Sequence, residues 1–588
     1  MRWDLGRLYA GFDDPKFEAD MQAYEARIAE AKELCGNMES AEGLRKLILC
    51  MREMKLLGGR LGNYVLLTLA ADTNCTAALA PRQRLQEQAN EQTLMESLFV
   101  AKVGEHKNLD ALFKEDELLS EHMPLFRNAK EKAKHLIDPV LEPTVLKMQL
   151  TGGASWMRLR DELFAGLTCD VELAGEIKRL PLTAVRAMAC DPDVKVRKAA
   201  YEAEIAAYPK LETGMAACLN GIKGEANTVA EMRGFDSVLD GSLAMSRMDR
   251  ATLNALLDAM RASLPMFRRY FRLKNRLLGN EGGLKFYDLF APVGGDASRY
   301  TLDEAKEVLL EVFGAAHKPI ADVMRRAFEE NLIDAYPREG KEGGAFCSGV
   351  PAIGRSYVLT NFDGSYSDVS TLAHELGHAY QDACLSQQSV LLDDLPMPLA
   401  ETASTFNEIL LSEKMLLTAD AQAKIALLDQ QIGDAAQVIV DILSRFLFES
   451  EVVEKRKTSA LTAKEMCEIM RDAQAQTYGD GLDPDCMHPY MWACKPHYYD
   501  TEYHFYNYPY AFGQLFASGL YALYLEKGAD FWRLYDRLLR ESGSGTVREV
   551  AASAGIDAAD AAFWQGALKL YEDKLNQLEA LAETFTRA

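Results

Sequence analysis

A mainly α-helical fold carrying a small β-sheet is what this chain predicts, on three observations. Apolar residues recur at spacings of three and four along most of its length, the period of a helix with one packed face. Gly and Pro interrupt it in few places, chiefly Thr151-Gly-Gly153 and Asn280-Glu-Gly-Gly283. Strand formers concentrate in one region, from Gly343 to Phe362.

The segments Phe17 to Leu34, Glu91 to Val103, Glu115 to Ala133, Lys195 to Tyr208, Arg250 to Leu278 and Leu302 to Val312 each read as amphipathic helices. Gly343 to Cys347 and Arg355 to Phe362 flank a Gly/Pro-bearing turn, and the second is rich in strand formers. Next, Val369, Leu372, Leu376, Ala379 and Ala383 mark one buried stripe of a further helix, with Ser367 and Asp368 as capping residues at its start. No internal repeat and no low-complexity stretch is visible.

At 588 residues the chain exceeds a usual single domain, so two lobes or more are expected. Lys+Arg 65 against Asp+Glu 88 gives −23, which argues against nucleic acid or an anionic membrane as partner. Met1 to Leu8 lacks the apolar core of a signal peptide, and the apolar run Val438 to Phe448 is broken by Asp441 and Arg445. No membrane span and a cytoplasmic location are the expectation. Eleven cysteines lie without paired spacing, and Cys486 and Cys494 lack the further partners of a structural zinc site. They are expected to be buried, reduced thiols, Cys347 and Cys384 beside the motif included.

The chemistry is concentrated in Thr371-Leu-Ala-His-Glu-Leu-Gly-His-Ala-Tyr380, an H-E-x-x-H arrangement. On a helix His374 and His378 stack one turn apart, so both imidazoles can reach one metal ion, and Glu375 sits beside them. Both histidines fall outside the apolar stripe. A third ligand must come from elsewhere. A metzincin pattern would need Gly at 381 and His at 384, where the chain has Gln381 and Cys384. The glutamate spacing of thermolysin-like and aminopeptidase-like enzymes would fall on Met397. Glu401 is the next acidic residue on a plausible helix, entered through Pro396 and Pro398, and is the expected third ligand. Glu408, two turns on, is placed to hydrogen-bond a ligand histidine and fix its tautomer.

His374-Glu-Leu-Gly-His378 followed by Ala400-Glu-Thr-Ala-Ser404 resembles the thimet oligopeptidase and oligoendopeptidase F family of zinc peptidases. Trp3-Asp-Leu5, Ser155 to Leu159, Phe286 to Leu289, His497-Tyr-Tyr499, Phe505 to Gly513 and Gly555-Ile-Asp557 with Phe563-Trp564 are similar to further family segments. The likeness is nearest to the oligoendopeptidase F branch. It implies a two-lobed helical zincin enclosing a deep cleft, with the region 1–190 forming part of the cleft wall and 191–588 the zinc-bearing catalytic domain, the lobes interleaving in sequence if need be. It implies one Zn2+ per chain and short peptides as substrates; it assigns no oligomeric state.

The activity so implied is that of a zinc metalloendopeptidase acting on internal bonds of oligopeptides. Zinc on His374, His378 and Glu401 would activate a water, with Glu375 as general base. His497, Tyr506 and Tyr510 match the family's substrate-facing cluster and would donate to the oxyanion, with His504 as a rival to His497. Tyr357 to Phe362 is the expected edge strand for pairing with an extended peptide. Two alternatives stand: a metallo-aminopeptidase, which the residue at 397 disfavours, and a catalytically silent peptide-binding protein, which an intact His374, Glu375, His378 and Glu401 disfavour.

Overall fold

Helix starts in this chain are written in side chains that satisfy the free N–H groups of a first turn. Thr301 and Glu304, Thr462 and Glu465, and Thr546 and Glu549 each form a reciprocal capping box. The computed structural model describes residues 1–114, 116–138, 140–294 and 299–587. The expected helices are present as Pro15–Leu34, Leu79–Glu105, Val194–Ala207, Arg250–Leu277 and Leu302–Ala316. The one expected from Glu115 to Ala133 is corrected to two, Glu117–Glu121 and Met123–Ala133, because Pro124 starts a new helix; residue 115 lies outside the described residues. The fold is mainly α, as its periodicity requires, with two small sheets among the described residues.

The elements that position functional side chains are, in chain order, α1 (Ala41–Ala71), β1 (Thr168–Leu173), β2 (Glu176–Pro181), α2 (Glu212–Met232), β3 (Ile333–Asp334), β4 (Phe346–Val350), β5 (Arg355–Leu359), α3 (Tyr366–Leu385), α4 (Thr402–Thr418), α5 (Ile442–Arg456) and α6 (Phe531–Glu541). The chain forms two units that interleave in sequence. One comprises Met1–Leu136, Ala297–Met415 and Leu523–Ile556; the other comprises Ile137–Asp296, Leu416–Ala522 and Asp557–Ala588.

The first unit holds a three-stranded sheet of order β3-β5-β4. β4 and β5 form an antiparallel hairpin with Cys347 opposite Val358 and Ser348 opposite Tyr357, while β3 runs parallel to β5. The hairpin turns through Pro351–Ile353 and then Gly354, whose φ of +59° is a left-handed conformation that suits glycine. β5 is therefore the central strand. The expectation that Tyr357 to Phe362 forms the edge is corrected: the edge is β4, because the two-residue β3 occupies the far side of β5.

Asp334, at the end of β3, is buried and receives Arg338 through both guanidinium nitrogens and the Lys341 ammonium at 2.9 Å. Lys341 Nζ also donates to the carbonyls of Asp334, Tyr336 and Thr360, fastening the segment after β3 to the strand end of β5. Burial would raise the Asp334 pKa, but Arg338 and Lys341 outweigh it and hold the carboxyl below its ordinary range. α3 packs on β4 and β5 along one side and on α6 along another. Beneath α4, Phe406 meets Phe531, Trp532 and Tyr535 of α6, with 4.7 Å between the Phe406 and Tyr535 ring centres.

The second unit carries the β1–β2 hairpin and a core in which Cys169, Val171, Leu219, Ile222, Met470, Trp492 and Tyr498 are fully buried. All eleven cysteines are unpaired; eight are buried, Cys75 and Cys347 are half-buried, and Cys190 is exposed. Among the described residues no helix is long and apolar enough to cross a membrane.

Candidate metal centre and tyrosine cluster

α3 begins two residues earlier than its sequence suggests. Ser365 is the cap, its side chain accepting from Asp368 N–H while Asp368 reaches back to Ser365 N–H. The same Asp368 oxygen accepts from the backbone of Asp363 and Gly364, so one carboxylate gathers three amides. This sets the helix register, and with it the face carrying His374 and His378. Val369, Leu372, Ala373, Leu376 and Ala379 are buried, leaving the two imidazoles half-exposed at 26% and 24%.

Glu401 caps the short helical turn Met397–Ala400, which is entered through Pro396, and immediately precedes α4. Its Oε2 is 3.3 Å from Nε2 of His374 and 3.3 Å from Nε2 of His378. Ser404 Oγ donates to that oxygen at 2.7 Å and steadies it. One ligand atom from each of the three lies within 4.8 Å of the others, and among the described residues this is the one group of His, Cys, Asp or Glu side chains able to hold a metal ion. Glu408 Oε1 meets Nδ1 of His374, so the proton on Nδ1 faces a carboxylate and Nε2 turns toward Glu401.

What lets the two helices meet this closely is Gly377. A methyl group at its Cα would lie 2.7 Å from the Ala403 carbonyl oxygen and 2.7 Å from Ser404 Cα, both backbone atoms of the turn that follows Glu401. Asn407 Nδ2 donates to the Ala373 carbonyl at 3.1 Å and ties the next turn of α4 to α3.

The electrostatics suit a cation. Burial pushes the His374 pKa down, yet Glu401 and Glu408 reverse this and carry it to about 10. Burial raises Glu401, but the two imidazoles pull it far below the ordinary carboxylate range. Two imidazole nitrogens and one carboxylate oxygen converging on a point, with a second carboxylate behind one imidazole, is a donor set that fits zinc. Glu375, next on the helix, is 6% exposed, and its carboxyl pKa is raised by burial against the pull of both histidines.

His497, Tyr506 and Tyr510 form a second group, in the second unit. The His497 and Tyr506 rings stack at 4.7 Å and 11°, and Tyr510 Oη donates to Tyr506 Oη at 3.3 Å. Burial lowers the His497 pKa, with Arg445 adding to it. His504 takes no part in that stack: its Nδ1 faces the Lys223 ammonium at 3.3 Å. The sequence reading passed over Gly377, Ser404 and Asn407 around the metal group. Gly377 alone carried a usable signal, a glycine inside a helix that has no local need of one.

The sequence profile of peptidase family M3 matches residues 187–570. The chain belongs to that family. An oligoendopeptidase F homolog of Lactococcus lactis is 29% identical over 392 residues, covering 66% of this chain and 64% of that protein, so the chain spans a little under two thirds of its length. The oligoendopeptidase F homolog of Borreliella burgdorferi is 24% identical over 599 residues, 99% of this chain and 98% of that one. Such relatives place the chain on the oligoendopeptidase F branch of the family. The fold recurs in a solved structure from Chlamydophila abortus classed as a peptidase, with a TM-score of 0.87 at 22% identity over 99% of this chain and 98% of that one. It recurs also in the oligoendopeptidase-F of Enterococcus faecium, with a TM-score of 0.69 at 21% identity over 97% and 99% of the two chains.

Proposed function

We propose that this chain is a zinc-dependent endopeptidase that hydrolyses internal bonds of short oligopeptides. The observation that carries the reading is the convergence of His374, His378 and Glu401 on one point, with Glu375 on the adjoining helical position. His374 Nε2, His378 Nε2 and a Glu401 oxygen would hold the zinc. When bound, the ion supplies a Lewis acid that polarises the scissile carbonyl and eases the loss of a proton from the attacking water.

The chain's own groups do the rest. The Glu375 carboxylate takes the proton from water as attack begins and passes it to the departing amine nitrogen; burial, which raises its pKa, makes it the more ready to accept that proton. Glu408 keeps the proton of His374 on Nδ1. The outer edge of β4 offers backbone groups to an extended peptide whatever its side chains, apart from the Gly349 carbonyl, which already accepts from Asn63 Nδ2 at 3.2 Å. Tyr506, accepting from Tyr510, keeps its own hydroxyl proton to donate to the oxyanion, with His497 stacked beside it.

The test is elemental analysis of the purified chain alongside cleavage of a quenched fluorescent peptide of about ten residues, which extends at about 3.3 Å per residue when paired as a strand along β4. Products mapped by mass spectrometry should be internal fragments, activity should vanish with a chelator, and zinc should restore it. Release of single amino-terminal residues would favour the aminopeptidase alternative, and a metal-free preparation with full turnover would remove the assignment.

A further inference from the structure

The turn His504–Asn507, in the second unit, is held against its own backbone preference. Phe505 has φ of +55°, a left-handed conformation that bulky side chains avoid and that persists only when the surroundings enforce it. α5 supplies the enforcement at two points. Glu449 Oε1 accepts the Phe505 backbone N–H at 3.0 Å, and one turn earlier Arg445 Nη1 donates to Asn507 Oδ1 at 2.9 Å. Residues four apart share a helix face, and here they grip positions 505 and 507 and leave Tyr506 between them.

The anchor is buried. Glu449 is 2% exposed and Lys223 of α2 is 0% exposed, with Nζ and Oε1 2.6 Å apart. An ammonium can only donate, so its contact with His504 Nδ1 makes that nitrogen an acceptor and leaves the imidazole proton on Nε2. Burial and the neighbouring ammonium push the His504 pKa well down, in keeping with a neutral ring. His504 thus belongs to the anchor. A buried ion pair is weak evidence for stability, since apolar residues of like volume do as well or better. What it adds here is a charged acceptor aimed at one amide of a strained turn.

We propose that Glu449, with Lys223 and Arg445, is a positioning device for the reaction: it holds residues 505 and 507 so that the Tyr506 hydroxyl, with Tyr510 behind it, meets the oxyanion in one fixed orientation. The inference rests on the reading of Tyr506 and Tyr510 as hydroxyl donors. Glu449 touches no substrate and acts through the turn.

The pair is best replaced as a unit, Lys223→Met with Glu449→Leu, so that no buried charge is left alone; Glu449→Gln keeps an acceptor oxygen for the Phe505 amide. The full chain is assayed with the fluorescent peptide, with zinc content and hydrogen exchange of the 503–508 segment followed in parallel. The double variant should keep parental zinc, lose about a hundredfold in kcat with KM little changed, and exchange the Phe505 amide faster, since a misplaced group costs rate rather than binding. Glu449→Gln should recover most of that loss. Adding Tyr506→Phe and Tyr510→Phe should cost the parent heavily and the double variant little, because the anchor works through those hydroxyls. Should the double variant not fold, Asn507→Ala releases the second clamp alone and carries the same expectation. Parental kcat in a folded variant, or losses that simply add, would overturn the proposal while leaving the hydroxyl reading intact. Parental kcat in Tyr506→Phe with Tyr510→Phe alone would overturn the hydroxyl reading and this inference together.

Discussion

Gly377→Ala tests the metal centre without touching a ligand. The added methyl would sit 2.7 Å from two backbone atoms of the turn after Glu401. Comfortable contact for a carbon lies near 3.5 Å or beyond, so α3 and that turn must part by about 0.8 Å. A metal site tolerates errors of only about 0.2 Å in its ligand distances. Stability should change less than affinity, because overpacking costs about 1–3 kcal/mol while alanine in a helix regains about 0.5–1 kcal/mol over glycine. Loss of an outer-shell partner alone weakens such sites about 10–100-fold, and displacing Glu401 from both imidazoles should cost at least the upper end of that range. The assay is zinc affinity by competition with a calibrated chelator, beside thermal melting of the metal-free chain. Gly62→Ala, in α1, where a methyl would meet nothing within 4 Å, is the control: it should leave zinc affinity unchanged and melt no lower than the parent. Parental zinc affinity in folded Gly377→Ala would refute the argument, since it would mean that the close approach of α3 to the Glu401 turn does not set the ligand geometry.

Three further outcomes are expected. Glu375→Gln should retain zinc and lose nearly all turnover, as an amide cannot accept the proton of water; activity within about tenfold of the parent, far short of a general base's usual 10²–10⁴ share, would exclude Glu375 as the base. Glu401→Ala should strip the metal at chelator concentrations the parent tolerates, whereas Glu408→Ala should weaken affinity about 10–100-fold and leave a measurable holoenzyme; the reverse order would make Glu408 the ligand. For Asp334, a carboxyl held below its ordinary value stabilises the fold above the unfolded value of about 3.9, and that stability is lost as pH falls through the lower, folded value. Asp334→Asn should therefore melt lower at neutral pH, by about 3 kcal/mol for a broken buried pair, and the gap from the parent should close in acid. A constant difference across that range would show that Asp334 acts through packing alone.

How much was legible in the sequence depended on distance along the chain. The amphipathic period around His374 needed only a dozen neighbouring residues, and Glu401 could be reached by elimination because the ligand sits a short, proline-marked stretch away. The true start of α3 was missed by two residues because Ser365 and Ser367 are equally good caps, and what separates them is the Asp368 carboxylate gathering the amides of 363 to 365. The sheet edge was misassigned because β3 is two residues long and leaves no periodic trace. Lys223 and Glu449 lie 226 residues apart in the chain, and nothing local in either helix announces that they meet.

The distribution of thiols gives the protein a chemical fingerprint. Cys190 closes a single turn of 3-10 helix at the surface of the second unit, whereas Cys35, Cys169 and Cys384 lie where burial lifts their pKa values to about 11, 11 and 12. Alkylation goes through an accessible thiolate, so a neutral maleimide meets one open sulfur, two partly shielded ones and eight that are buried. A fluorophore can therefore be lodged at Cys190 of the native chain without removing any other cysteine. The progress from one labelled thiol to eleven in rising denaturant then reads out, sulfur by sulfur, the order in which the two units unfold.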